Sequence, residues 1–328
     1  MKDKLKIIFM GTPEFAGIIL EKLIASETYK PSLVITRPDK PLGRKQILTP
    51  PPVKQRITNY ELRITNKIKV LQPERLKDPE IITKIKEEEP DIIIVAAYGK
   101  IIPKEIIDIP RFGVLNVHAS LLPLYRGASP ISAAILNADR KTGATIMLID
   151  EELDHGPILA QARVPIASDD TTESLNRKIA LAGADLLNDT IPKWTSGTIK
   201  PLAQDHSRAT HTEMLNKQAG EIKTEYTAEH IERMARAYYP WPGIYLRHET
   251  RNLKHETKIL KIIKTKIIPC EKQLPSLSLS LTFKKELCLH TANGCLILET
   301  VQPENKKPMS GYDFYLGNSV LGKDILHS

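Results

Sequence analysis

The sequence predicts an α/β chain: an N-terminal doubly wound, mostly parallel, Rossmann-like sheet, followed by a smaller β-barrel domain of the OB type. Three observations carry that reading. Apolar runs of strand length recur through the first part of the chain. Helical periodicities fall between them, the βαβ rhythm of an open sheet with helices on both faces. Beyond residue 211 the runs become short and rich in Ile, Leu, Val and Thr, and Asn293-Gly294 between two of them is a strong hairpin signal.

Taken in order, residues 6–10 read as a first strand, and Gly11-Thr12-Pro13-Glu14 turns into a helix reaching Ala25. That turn is neither a phosphate-binding loop nor the glycine pattern of a dinucleotide site. A second strand covers 32–36. The continuous apolar run at 91–97, bounded by turn residues, suits a strand buried on both faces. Strands at 113–118 and 145–150 follow, with helices at 78–88 and 130–138 between. Residues 191–211 are polar, lack clear periodicity and read as a linker. A helix over 228–237 ends at Tyr239-Pro240-Trp241-Pro242-Gly243, and strand runs follow at 258–265, 278–283, 288–291 and 295–301. The organisation predicted is a catalytic domain over 1–190, a linker over 191–211 and a C-terminal domain over 212–328. Arg56-Ile57-Thr58-Asn59 recurs as Arg63-Ile64-Thr65-Asn66 and reads as a surface insertion, and 269–280 reads as an exposed hairpin loop.

A length of 328 residues makes two domains the expectation. Hydrophobic residues at 41% and charged residues at 26% are ordinary for a globular chain. The longest apolar run is strand-sized, far from the roughly 20 residues of a membrane helix. The short apolar start has no signal-peptide core, so a cytoplasmic chain with no membrane partner is expected. Cys270, Cys288 and Cys295 are an odd number without metal-ligand spacing, which predicts neither a disulfide framework nor a metal. The net charge is +8, and residues 243–285 alone carry ten basic residues against three glutamates. Both a polyanion-binding face and a solvated lysine-rich surface fit that segment.

Ligands of doubly wound sheets bind beyond the carboxyl ends of the strands. Asn116 and His118 lie two apart near the end of the 113–118 strand, so their side chains share a face. An amide donor beside an imidazole grips an oxygen that becomes negative during acyl transfer. A core histidine beside a turn asparagine is the plainer reading of the same pair. The 145–150 strand leads into Asp150, Glu151, Glu152 and Asp154, which are expected at the same ligand edge. A carboxylate there orients His118 and relays protons, and spacing does not choose among the four. No histidine or cysteine pair accompanies them, so no metal is expected there.

Asn116-x-His118 followed by Ser120-Leu121-Leu122-Pro123-x-Tyr125-Arg126-Gly127, with Leu153-Asp154-x-Gly156 downstream, resembles the signature of the folate-dependent formyltransferases. Phe9-Met10-Gly11-Thr12-Pro13, Arg37-Pro38-Asp39-Lys40-Pro41, Gly43-Arg44-Lys45 and Tyr239-Pro240-Trp241-Pro242-Gly243 resemble the members that act on methionyl-tRNA. The resemblance implies a formyltransferase fold with a tRNA-binding OB-like domain. It implies 10-formyltetrahydrofolate as formyl donor, methionyl initiator tRNA as acceptor, no metal, and a monomer. It selects Asp154 to join Asn116 and His118 as the catalytic trio. It assigns Ser120, Leu121, Leu122 and Pro123 to a folate-contacting turn, and Arg37, Lys40, Arg44 and Lys45 to a loop contacting the tRNA acceptor end. His155 stands where threonine is usual, which puts a titrating group next to Asp154. The rival reading, a 10-formyltetrahydrofolate hydrolase or a formyltransferase for a small amine, shares the trio. A catalytically inactive RNA-binding relative is a third reading, which the intact trio disfavours.

Overall fold

The computed structural model describes residues 5–26, 28–43, 45–61, 68–249, 257–270 and 274–317. Seven strands form the first sheet: β1 (Ile7–Gly11), β2 (Leu33–Ile35), β3 (Lys69–Leu71), β4 (Ile92–Ala96), β5 (Val114–His118), β6 (Lys141–Leu148) and β7 (Ile158–Pro165). Their order is β7-β6-β5-β4-β1-β2-β3. The first five strands pair in parallel. The apolar runs of β1 and β4 are buried at every position because these strands are central and covered on both faces. Ile8, Met10, Ile93 and Val95 share one face and pack with Ile85 and Ile106 from the helices Pro79–Glu87 and Lys104–Ile107. The alternate residues Ile7, Phe9, Ile92 and Ile94 are buried on the other face.

The strand expected at 145–150 is longer and runs the other way. β6 is antiparallel to β5, with Leu148 opposite Leu115 and Thr145 opposite His118. Its C-terminal end therefore lies at the edge away from the parallel strands' carboxyl ends, a correction to the expectation for the acidic residues that follow. Strand direction leaves no mark on an apolar run, and β6 is as buried as its parallel neighbours. β3 and β7 escaped the sequence reading: β3 has three residues, and β7 alternates burial as an edge strand does.

Residues 191–211 are not a free linker. The helix Thr172–Thr195 runs into them, and His211–Thr212 pairs in parallel with Arg126–Gly127. The first copy of the Arg-Ile-Thr-Asn repeat lies in the helix Pro52–Glu61, where Ile57 is buried and Arg56 pairs with Glu14 and Glu21. It belongs to the core, not to an insertion; the second copy lies outside the described residues.

The chain divides into two compact units, one of residues 1–130, 140–166 and 174–213, the other of 131–139, 167–173 and 214–328. The second takes in the two short segments because Arg233 donates to Leu136 O and Arg236 to Asp170 O. Its sheet contains β8 (Ile244–Glu249), β9 (Thr257–Ile268), β10 (Leu279–Leu281), β11 (Leu287–His290), β12 (Cys295–Pro303) and β13 (Met309–Ser310). The order is β8-β9-β12-β11-β10, with β13 on β12, every pairing antiparallel. Gly294 turns the β11–β12 hairpin at φ +85°. Lys261 is exposed between buried Leu260 and Ile262; a bulge at 262–265 then shifts the alternation, so Lys264 and Lys266 are exposed as well.

Of the stretch 269–280, residues 271–273 lie outside the described residues, and the rest are more built-in than an exposed loop. Ser278 and Leu279 are buried, and Cys270 pairs with Cys295, a cross-link not expected from the cysteine count. Ile268 stands opposite Cys295 across β9 and β12, which brings the two together. Cys288 remains a free thiol, buried and pushed up by burial.

Candidate active site

Asn116 and His118 project from the C-terminal half of β5. His118 is buried, its Nε2 lying 2.9 Å from the Tyr125 carbonyl oxygen and its Nδ1 3.6 Å from Asp154 Oδ2. Both ring nitrogens thus face acceptors, and both act as donors only in the imidazolium form. Asn116 Nδ2 donates to Asp154 Oδ1 at 3.3 Å, and Gly127 N donates to Asp154 Oδ2 at 2.8 Å. One carboxylate therefore ties together the end of β5 and the loop that follows it.

Because β6 is antiparallel, Asp154 has to return to this point. Ile149 N bonds Val114 O at the start of β5, and the loop up to Gly156 then carries Asp154 back along the strand. Asp154 sits at φ +50°, a left-handed conformation that aspartate tolerates better than most residues. Gly156 completes the turn: a Cβ there would lie 2.0 Å from Leu148 O, so only glycine fits. Gly127 has the same requirement twice over, with φ +101° and Thr212 O 2.3 Å from where its Cβ would be. These two contacts give the Asp-x-Gly and Tyr-Arg-Gly spacings a physical basis.

The four acidic candidates separate cleanly. Asp150 Oδ2 lies 2.7 Å from His155 Nδ1. Glu151 pairs with Lys104 at 3.0 Å, and Glu152 is exposed. Asp154 is the one that reaches Asn116 and His118. His155 turns to Asp150 and stacks on His206, ring centroids 4.1 Å apart, so its partners lie away from the Asp154 carboxylate.

The Ser120–Pro123 turn is held from within. Ser120 and Leu122 are buried, while Leu121 and Pro123 are partly exposed. Ser120 Oγ donates to Leu124 O at 2.6 Å. Thr145 Oγ1 donates to Ser120 O at 2.6 Å and accepts from Leu122 N at 3.1 Å. Gln161 Nε2 adds bonds to Leu122 O and Thr145 Oγ1.

Thr145, Gln161 and Gln204 went unnoticed in the sequence. Thr145 and Gln161 sit on strands where only register brings them beneath the turn, and Gln204 falls in the segment read as a linker. Gln204, buried, donates to Asp154 O at 2.9 Å and Gly156 O at 2.7 Å, and accepts from the buried Arg126 at 2.7 Å. Thr210 braces the same loop, accepting Arg126 N on its carbonyl and Tyr125 N on its hydroxyl. Replacing Gln204 by Ala strands one buried and one partly buried carbonyl and part of a guanidinium. We expect a stability loss of roughly 2 kcal/mol, read as a lower urea midpoint at unchanged slope. A midpoint equal to that of the parent would show that water replaces the amide.

The basic loop is a hairpin, Lys40–Leu42 against Ile47–Thr49. Lys40 and Lys45 are exposed; Arg44 lies outside the described residues. Arg37 is partly buried and donates to Gly99 O, so it is drawn toward the end of β4 and not into solvent. Asp39 anchors the hairpin base between Gln72 at 2.7 Å and Lys54 at 2.8 Å. Those hydrogen bonds, Gln72's first and Lys54's second, lower its pKa and keep it charged in more acid solution. Beside Gly99, Tyr98 is buried and its phenol is pushed up to about 12 by that burial. Its Oη has no hydrogen-bond partner among the described residues.

What the arrangement offers is an amide and an imidazole on one strand face, backed by a carboxylate fixed from three sides. Such a set polarises a carbonyl and moves a proton.

Comparison with known proteins places this geometry in context. The profile described as formyl transferase matches residues 4–191, and that described as formyl transferase, C-terminal domain, matches 214–319. The methionyl-tRNA formyltransferase of Roseiflexus castenholzii is 40% identical over 322 residues, covering 98% of this chain and 99% of its own. That of Thermodesulfovibrio yellowstonii is 41% identical over 314 residues, covering 96% of each. Among solved structures, HypX from Aquifex aeolicus with tetrahydrofolic acid superposes at a TM-score of 0.61 with 15% identity, over 95% of this chain and 47% of that one. The sugar 3N-formyltransferase WlaRD superposes at 0.60 with 20% identity, over 93% of this chain and 99% of that one. These two likenesses carry the fold alone. On the family profiles and on identity across nearly the full length, the chain belongs to the formyl transferase family.

Proposed function

We propose that this chain transfers the formyl group of 10-formyltetrahydrofolate to the α-amino group of methionyl initiator tRNA. The observation that carries the reading is the convergence of Asn116, His118 and Asp154 on one point of β5, in a chain 40% identical to methionyl-tRNA formyltransferases from end to end.

The chemistry is direct acyl transfer. The neutral α-amine attacks the formyl carbon, a C–N bond forms, and the carbonyl oxygen takes the negative charge of a tetrahedral intermediate. Asn116 and His118 stabilise that oxygen, Asn116 through its second Nδ2–H and His118 through the charge of its imidazolium, a donor of the first kind being worth about 3–4 kcal/mol in comparable sites. Asp154 supports the charged His118 and accepts the ammonium proton, directly or through water. Collapse breaks the bond to folate N10, which receives a proton as it leaves. The Ser120–Pro123 turn shapes the folate side through Leu121 and Pro123. Arg37, Lys40, Arg44 and Lys45 serve the acceptor end of the tRNA, Arg37 by fixing the base of the loop. The exposed lysines of β9 give the C-terminal domain, of OB type, an electrostatic face for the tRNA backbone. The enzyme works in the cytoplasm as a monomer, with residues 1–190 catalytic and 212–328 binding tRNA.

The test is formyl transfer by the purified chain from 10-formyltetrahydrofolate to methionyl initiator tRNA, with free methionine and uncharged tRNA as controls. Formylation of the charged tRNA alone is expected. Folate turnover with every tRNA unmodified would instead move the chain to the hydrolase or small-amine reading. His118→Ala is expected to abolish transfer while leaving tRNA affinity in place; retained turnover would overturn the role given to His118.

A further inference from the structure

Outside the acyl-transfer site, the second unit holds a cluster of soft ligands that the reaction does not use. Cys270 follows the end of β9, His290 ends β11 and Cys295 begins β12. His290 and Cys295 are opposite one another in the β11–β12 register, and Cys295 faces Ile268 of β9 on its other side. His290 Nδ1 lies 3.3 Å from Cys295 Sγ and 3.7 Å from Cys270 Sγ, and the three donor atoms fall within 4.8 Å of one another. His290 and Cys295 are 4% and 2% exposed.

The geometry points to a structural cation site: we propose that Cys270, His290 and Cys295, in the reduced chain, hold one soft divalent cation of the zinc class. Two observations support it. With metal–sulfur and metal–nitrogen bonds of about 2.3 and 2.1 Å, a nitrogen and a sulfur ligand of a tetrahedron lie about 3.6 Å apart and two sulfurs about 3.8 Å; the two nitrogen–sulfur separations bracket the first length, and the sulfurs, bonded to each other in this structure, reach the second on reduction. The second is the far side of the imidazole: His290 Nε2 is 2.8 Å from Ser280 Oγ on β10. A ligating histidine ordinarily gives its other N–H to an outer partner that fixes ring and tautomer, and Ser280 is placed for that role. A Cys270–Cys295 disulfide uses both thiols and leaves the buried Nδ1 facing sulfurs that offer it no proton. A cation bound by two thiolates and the Nδ1 lone pair engages all three donors. It ties the end of β9 to the β11–β12 hairpin and stabilises this domain, without a part in formyl transfer.

The experiment uses the full-length chain, reduced, freed of metal and titrated with Co²⁺ and then Zn²⁺. One Co²⁺ per chain with near-ultraviolet thiolate-to-metal absorption is expected, displaced by one Zn²⁺, with a rise in Tm that EDTA reverses. His290→Ala and Cys295→Ser abolish the absorption. Ser280→Ala, which removes only the outer partner, weakens binding about tenfold. Cys288→Ser, which removes the third thiol of the chain, leaves the stoichiometry at one cation; because Cys288 packs beside Cys295 and bonds Ser280, only the stoichiometry is read from it. Should a variant fail to fold, the parent chain still decides: two of its three thiols become protected from a disulfide reagent when Zn²⁺ is bound. Absence of the absorption in the reduced parent overturns the proposal, as does binding that survives His290→Ala or is lost in Cys288→Ser.

Discussion

Asp154→Asn is expected to lower kcat for formyl transfer by about 10³-fold while leaving the affinities for folate and tRNA nearly intact. The substitution is isosteric. The Gly127 N–H still finds an oxygen at the position it now bonds at 2.8 Å, and Gln204 still holds the main chain of the loop. What disappears is the charge beside His118 Nδ1, the bond that Asn116 Nδ2 gives to Oδ1 and, on the proposed chemistry, the base that takes the ammonium proton. General acid–base groups contribute roughly 10²–10⁴-fold, and loss of support for a charged imidazole adds to that. The defect belongs in kcat and kcat/KM together, because neither proton transfer nor oxyanion exists in the ground state. Single-turnover formylation at several pH values is the measurement. A rate within tenfold of the parent would remove Asp154 from the chemistry and leave it a loop anchor.

Asn116→Ala is expected to cost about 10²–10³-fold in kcat, the effect of deleting one oxyanion donor. Asn116 also donates to Asp154 at 3.3 Å, so a second role competes with the first: holding the carboxylate in place. The double variant Asn116→Ala, Asp154→Asn separates them. Independent roles make the two losses multiply, whereas a purely supporting Asn116 adds nothing once Asp154 has lost its charge. A double variant no slower than Asp154→Asn alone would therefore remove Asn116 from the oxyanion site. Affinity for folate reads the ground state separately and is expected to stay near the parent value.

The sequence by itself determined the class of the fold and the content of its motifs. The fully buried runs of β1 and β4 are legible because apolar residues bounded by turns have few other solutions. Asn116 and His118 share a face because alternation along a strand is local geometry, and Gly156 sits where the nearby Leu148 carbonyl admits nothing larger. Tertiary structure alone decided the direction of β6 and, with it, how Asp154 reaches His118. A strand buried between two neighbours hides the same residues whether it runs up or down, so pattern carries no information about the loop that follows. Register across three strands set Thr145 and Gln161 beneath the Ser120–Pro123 turn, and a segment without periodicity supplied Gln204, whose buried amide holds the Asp154 loop. The same holds for Cys270, His290 and Cys295: their spacing along the chain fits no metal motif, and only the pairing of β9, β11 and β12 brings them within reach of one another. Local geometry is written in neighbouring residues, whereas contacts between distant ones depend on which strands pair and in what register.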